Sequence, residues 1–278
     1  MAPFFTGITR AIGGAGFGKR AGGVAVPFIP ITATGGTVST PGDGYRYHVF
    51  TTPDSLSVSN AGSAGSLEVV LIGGGGGGGN GGDSYAGGGG SGGLVYCPAQ
   101  PITATSYPFS IGGGGTGASG GTTTGFSLSA VGGGYGSSRP TPGIPGGSGG
   151  GGSTYSEGAT GNGAGTQPSA NPGVPGIVQY GNPGAARSPA PPTYSNGGSA
   201  NSPNVNDANA TFPNGSTIIS GSPIGPQAIG RGGWNAWHLY QVGTPAWPAT
   251  SYGSGGTGTL AAGTSGIVGV IIVRYPLT

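Results

Sequence analysis

The chain has 278 residues, of which 71 are glycine and 25 proline, and eight basic against six acidic residues leave a formal net charge of +2. Glycine and proline together make up roughly a third of the chain, a share that without a fixed period usually marks low complexity; yet only 5% of residues are charged, whereas disordered chains carry high net charge. This balance points to ordered structure and excludes the electrostatic footprint of a nucleic-acid or anionic-membrane binder.

Residues 1–44 hold short apolar clusters broken by Gly and Pro. Helix is disfavoured at this glycine density, since each interior Gly costs about 1 kcal/mol relative to Ala. The reading is an extended arm. Phe4, Phe5, Phe17, Phe28 and Ile29 need a surface to cover them, and Arg10, Lys19 and Arg20 make the arm basic, so it is expected to dock on a partner protein or a sister subunit. "GGAGFGKR" (Gly13–Arg20) matches the spacing of a phosphate-cradling loop. It has Arg20 where the magnesium-binding Ser or Thr belongs, and no strand or helix flanks it, so nucleotide binding is not expected. The N-terminus also lacks a charged start followed by a continuous apolar core, so no signal peptide is expected.

Residues 45–131 carry the strand signals: "YRYHVF", "SLSVS", "LEVVLI", "LVYC", "YPFSI" and "FSLSAV". Their alternation and their β-branched and aromatic content mark half-buried strands. Only "LEVVLI" reads as buried on both faces. Cys97, the single cysteine, reads as a small buried apolar residue rather than a nucleophile. Residues 132–262 are loop-like, punctuated by "RPTPGIPGG", "NPGVPG" and "SPAPPTYSNGG", with sparse strand signals, chiefly "GIVQY" and "STIIS". Residues 263–278 contain "SGIVGVIIVRYPL" (Ser265–Leu277), the strongest predicted strand, closing the body. No helix is predicted, and the apolar runs fall short of the roughly 20 residues a membrane-spanning helix needs.

Between the strands lie the glycine tracts. Polyproline II has three residues per turn, and its amides and carbonyls find no partner within their own chain. Several such helices side by side can bond to each other, but a side chain on a packed face would collide with the neighbouring backbone. A surrounded helix therefore needs Gly at nearly every position. The tracts at Gly73, Gly76, Gly79, at Gly87, Gly90, Gly93 and at Gly112, Gly115 meet that demand. The fold class expected is thus mainly β and irregular: short strands clamping a bundle of polyglycine II helices, with long Gly/Pro-rich loops. Glycine-rich loops without mutual order are the alternative.

"YRYHVFTTPDSLSVS" (Tyr45–Ser59), "LEVVLIGGGGGGG" (Leu67–Gly79), "GGGGSGGLVY" (Gly87–Tyr96), "FSIGGGGTGASGG" (Phe109–Gly121) and the terminal "SGIVGVIIVRYP" (Ser265–Pro276) together resemble the glycine-rich fibre-tip adhesins of tailed bacteriophages and similar fibre proteins of marine phages. The resemblance covers about half the chain. It implies a polyglycine II sandwich in the virion whose exposed loops bind a bacterial surface receptor, with no catalytic residues supplied. Residues 137–250 depart from it, being richer in Pro, Asn and Ser, so whether the lattice continues there stays open.

Functional candidates follow. Tyr135, Arg139, Tyr155, Tyr180 and Tyr194 sit in Gly/Pro-rich loops and have the composition of a binding surface, with plain solvated surface as the alternative. "RGGWNAWHLYQVGTPAWP" (Arg231–Pro248) gathers all three tryptophans, Trp234 and Trp237 among them, either as receptor anchors or as a core cluster. A surface glycan would suit such rings. Phe4, Phe5, Arg10, Phe17, Lys19 and Arg20 are the docking candidates, towards tail, baseplate or fibre proteins. The shared packing of the apolar arm leans towards a homotrimer, although adhesins of this resemblance also occur as monomers. Asp43, Asp54, Glu68, Asp83, Glu157 and Asp207 are scattered, so no metal site, cofactor or enzymatic activity is expected. The alternative function is a purely structural virion protein, a head decoration or fibre shaft.

Overall fold

In the computed structural model the described residues are 27–81, 86–138, 140–153, 161–167, 174–185, 197–198, 200, 232–233, 252–259 and 262–278. They contain eleven strands and no helix. These are β1 (Thr32–Thr34), β2 (Thr37–Ser39), β3 (Tyr45–Phe50), β4 (Asp54–Asn60), β5 (Ser66–Ile72), β6 (Leu94–Pro101), β7 (Ser106–Phe109), β8 (Thr123–Gly125), β9 (Leu128–Ala130), β10 (Val178–Tyr180) and β11 (Val270–Pro276). A six-stranded antiparallel sheet has the order β10-β6-β5-β11-β3-β2; a three-stranded sheet has the order β1-β4-β7, and β8–β9 form a hairpin.

Period-two alternation sorts the six-stranded sheet into two faces. Leu67, Val69, Leu71, Val95, Cys97, Ile271, Val273 and Tyr275 point to a core shared with Ile31, Ala33, Leu56, Val58 and Phe109 of the three-stranded sheet. Val70, Ile72, Leu94, Val270, Ile272, Tyr47 and Val49 form a second cluster on the opposite face. The two central strands, β5 and β11, are therefore covered on both sides. β11, whose sequence reads simply as the strongest strand, is as enclosed as "LEVVLI". On the second face, one polar row crosses four strands. Arg274 pairs side-on with Glu68 (Nε–Oε1 3.0 Å, Nη2–Oε2 2.9 Å), Tyr96 donates to Glu68 (2.9 Å), and Arg274 stacks 4.4 Å from the Tyr45 ring centroid. Burial, then the Glu68 carboxylate, pushes the Tyr96 phenol up to about 12.

Three expectations need correction. First, the arm does not extend to residue 44. Ile31 and Ala33 are in the core, and β1 and β2 lie in different sheets, joined by Gly35 and Gly36 at φ 118° and 60°. A Cβ at Gly35 would sit 2.1 Å from the Ser55 carbonyl oxygen, so only glycine lets the chain cross between sheets here. The docking candidates Phe4, Phe5, Arg10, Phe17, Lys19 and Arg20 lie outside the described residues. Second, "FSLSAV" is not one strand: Phe126 and Ser127 form the two-residue turn of the β8–β9 hairpin, with φ 53° and 62°. Third, "SGIVGVIIVRYPL" is strand only from Val270 onward. Its first residues belong to the glycine lattice, because Gly266 and Gly269 are pressed against Gly75 and Ile72 backbone oxygens and admit no pleated partner.

Candidate functional site

Six glycine segments adjoin strands on the same side of the base. β5 runs into Gly73, β7 into Gly112, β9 into Val131 and β10 into Gly181, while β6 and β11 are entered from Gly93 and Gly269. All seven amides from Gly73 to Gly79 donate to backbone carbonyls at 2.8–3.0 Å. Gly73, Gly76 and Gly79 reach Gly93, Gly90 and Gly87; Gly74 and Gly77 reach Gly121 and Ala118; Gly75 and Gly78 reach Ile267 and Thr264. Each acceptor falls by three as its donor rises by three, so the segment is a three-residue-per-turn helix bonded to antiparallel neighbours on three sides.

Its carbonyls accept from three other segments: Gly75 from Gly115, Gly74 and Gly77 from Gly133 and Gly136, Gly76 and Gly79 from Gly256 and Thr259. Six neighbours thus enclose one helix. The 87–93 segment is enclosed likewise by 73–79, 131–137, 148–151, 197–198, 232–233 and 252–259. A Cβ at any position from Gly73 to Gly79 would lie 1.9–2.8 Å from a neighbour's backbone oxygen, which makes glycine obligatory throughout. Where Ser91 interrupts its tract, its hydroxyl meets that of Ser148 at 2.9 Å, both fully buried. Gly112 and Gly115 belong to an outer member: Gly112 donates to the Thr123 hydroxyl (3.0 Å) and Gly115 to Gly75 (2.8 Å), while Gly113 beside them faces open space.

Described parts of 132–262 are built into this lattice, at 132–137, 143–152, 163–167, 181–185, 197–198, 232–233 and 252–259. The body does not stop at residue 131: buried segments 146–153 and 253–258 lie inside the lattice, and half-buried Asn182 and exposed Pro183 lie at its outside.

The end of the lattice away from the sheets is the candidate functional site. Gly79, Gly87, Ser137, Gly151, Thr259 and Thr264 lie there together, as their bonds to the 77–79 and 87–88 levels require. Chain reversals crowd this tip with small polar groups. The Asn80 amide donates to the Ser138 hydroxyl (2.8 Å), which bonds the Tyr135 phenol (2.7 Å). Ser137 donates to the Thr141 carbonyl (2.9 Å), and the Thr116 and Ser265 hydroxyls meet at 2.8 Å. Asn80, Thr116, Pro140, Thr141, Pro142 and Ser265 are exposed. Every charged side chain among the described residues (Asp43, Arg46, Asp54, Glu68, Arg274) sits in the base, so the described tip offers hydrogen bonds without charge.

Of the residues singled out from sequence, Tyr135 stands at the tip, half-buried. Tyr180 is not in a loop: it ends edge strand β10 opposite Leu94 and packs on the second core cluster, at the base end. Arg139, Tyr155, Tyr194, Trp234 and Trp237 lie outside the described residues. Sequence reasoning missed Asn80, Ser138, Thr141 and Thr116. The signal that would have found Asn80, Thr116 and Ser138 is their position, one or two residues after a glycine-rich run that follows a strand; Thr141 carries no such signal. Cys97 is fully buried, and burial pushes its thiol up, leaving it unfit as a nucleophile.

No curated protein matches the chain. A family model described as a glycine-rich domain matches residues 51–276, and the chain therefore belongs to that family.

Proposed function

We propose that the chain is a virion-associated adhesin of a tailed phage, anchored through its base and contacting a host-surface receptor with the lattice tip. The observation that carries this reading is the tip itself: hydroxyl-rich chain reversals, without charge among the described residues, held on a stiff, six-neighbour glycine bundle. Loops on a rigid scaffold are where binding groups concentrate, and pre-ordered loops lose little entropy on binding. Seven residues of polyglycine II extend roughly 20 Å, enough to hold these groups clear of the base. At the other end, Phe28 and Ile29 are 41% and 49% exposed, where the chain preceding Pro27 enters. In this reading that segment joins tail, baseplate or fibre proteins. A hydroxyl-rich surface glycan is the receptor class such a tip suits.

The test is competition and position together. Purified full-length protein should slow adsorption of the particle to its host, and gold-labelled antibody should mark the distal end of a fibre. Label on the head or along a shaft, with adsorption unaffected, would make the chain a structural virion protein instead.

A further inference from the structure

At the base, where the β8–β9 hairpin meets β7, the surface opens into a depression of about 450 Å³. We propose that it binds a saccharide ring. The site is remote from the tip, and the assignment does not depend on where the chain sits in a particle.

Its wall is aromatic. Tyr107 and Phe126 are both half-buried, with ring centroids 4.8 Å apart and planes inclined by 44°. The Tyr107 hydroxyl is already engaged, accepting from the Thr103 amide (2.7 Å), so the ring face rather than the hydroxyl is what this residue offers. Phe126 reaches its place at the expense of its backbone. A two-residue turn with positive φ at both positions normally takes Asn-Gly, yet here the residues are Phe126 (φ 53°) and Ser127 (φ 62°). Left-handed conformations in bulky residues persist only when the surroundings impose them, and they gather at ligand-binding places. The surroundings here are the Phe109 ring, 5.1 Å from Phe126 and lying so close under Gly125 that a Cβ there would be 2.6 Å from it. Ser110 and Thr124 exchange two backbone hydrogen bonds (3.0 and 2.9 Å), fixing the hairpin to β7.

The floor is an amide. Gln100 is 8% exposed. Its Nε2 donates to the Pro101 carbonyl (3.2 Å), and its Oε1 receives only the Cys97 thiol at 3.8 Å. One N–H and the better part of a carbonyl remain for a ligand. Exposed Thr124 and Ser127 supply hydroxyls at the rim, and no charged side chain lines the depression. An apolar platform beside a neutral donor–acceptor group matches a sugar, which has a C–H face and a hydroxyl edge. The volume falls within the usual range for small-molecule sites. A proline-rich peptide also favours aromatic walls, but it needs an extended groove and leaves a buried amide unused.

The experiment is saturation-transfer NMR on the full chain with glucose, galactose, mannose, N-acetylglucosamine and their common disaccharides, and with a proline-rich decapeptide. The expected result is transfer to the ring C–H protons of at least one sugar. Phe126→Gly suits the observed φ, so it should stay folded while weakening that binding about tenfold or more, the loss of one aromatic anchor. Gln100→Met, which keeps the side-chain bulk, should weaken binding at an unchanged melting temperature, and Tyr107→Phe should bind like the parent. The proposal is overturned if no sugar receives saturation, if the peptide binds and the sugars do not, or if folded Phe126→Gly and Gln100→Met both bind like the parent.

Discussion

The base and the lattice are held together by opposite means. In the base, side chains interdigitate: Leu71, Ile72, Ile271 and Ile272 are fully buried, and burial of each such side chain contributes about 1.5–3 kcal/mol. In the lattice there are almost no side chains to bury. Order there comes from backbone hydrogen bonds, each worth about 1 kcal/mol net, against the high entropic cost of ordering glycine. A dense network compensates, since each central helix bonds on six sides. The difference teaches that the two regions fail in opposite directions: the base when volume is removed, the lattice when volume is added.

The largest effect expected is at the lattice centre. In Gly76→Val the new Cβ would lie 2.1 Å from the Gly134 oxygen, with the Gly134 carbonyl carbon at 2.6 Å. The neighbour is backbone held on several sides and cannot yield. The variant should lose about 4 kcal/mol or more, read as a collapse of the melting temperature or as insoluble protein. In the base, Leu71→Ala should cost about 2–5 kcal/mol by chemical denaturation, a loss that leaves a weakened but folded protein.

A smaller effect is set by pH. His48 is fully buried. Its Nδ1 faces the Gly35 carbonyl (2.7 Å), which only accepts, so Nδ1 carries the proton and Nε2 accepts from the Tyr275 hydroxyl (3.0 Å). Burial, with Arg46 nearby, lowers its pKa below the usual 6.5, outweighing the Gly35 bond. The unfolded chain therefore binds the proton more readily. Stability from His48 is complete above pH 6.5 and declines as pH falls below it. Melting temperature should drop between pH 6.5 and about 5, before the carboxylates titrate, and His48→Gln should flatten that slope. The smallest effect sharpens the comparison: Gly113→Ala, with nothing within 4 Å of its Cβ, should change stability by less than about 1 kcal/mol. If Gly113→Ala were as damaging as Gly76→Val, steric enclosure would not be what distinguishes them.

Much of the base was legible because strands write their burial into alternating side chains, as in Tyr45–Phe50 and Ser66–Ile72. The demand for glycine was legible from the same chemistry. Which segments lie side by side was not, since a tract without side chains carries no register. Nothing in "GSGGTGT" announces that Gly256 bonds Gly76, or that Ile267 accepts from Gly75. Apolar letters also misled where lattice and strand meet, at Ile267 and Val268. The Phe126–Ser127 turn was hidden for a different reason: its shape is imposed by Tyr107 and Phe109, not by local turn residues.

Amide hydrogen exchange distinguishes bonded glycine helices from glycine loops directly. The Gly73–Gly79 and Gly87–Gly93 amides should exchange as slowly as those of the central strands Ser66–Ile72 and Val270–Pro276, since all are enclosed on every side. Exchange of the glycine amides at the rate of an unstructured peptide, with the strands still protected, would contradict the bonded helices.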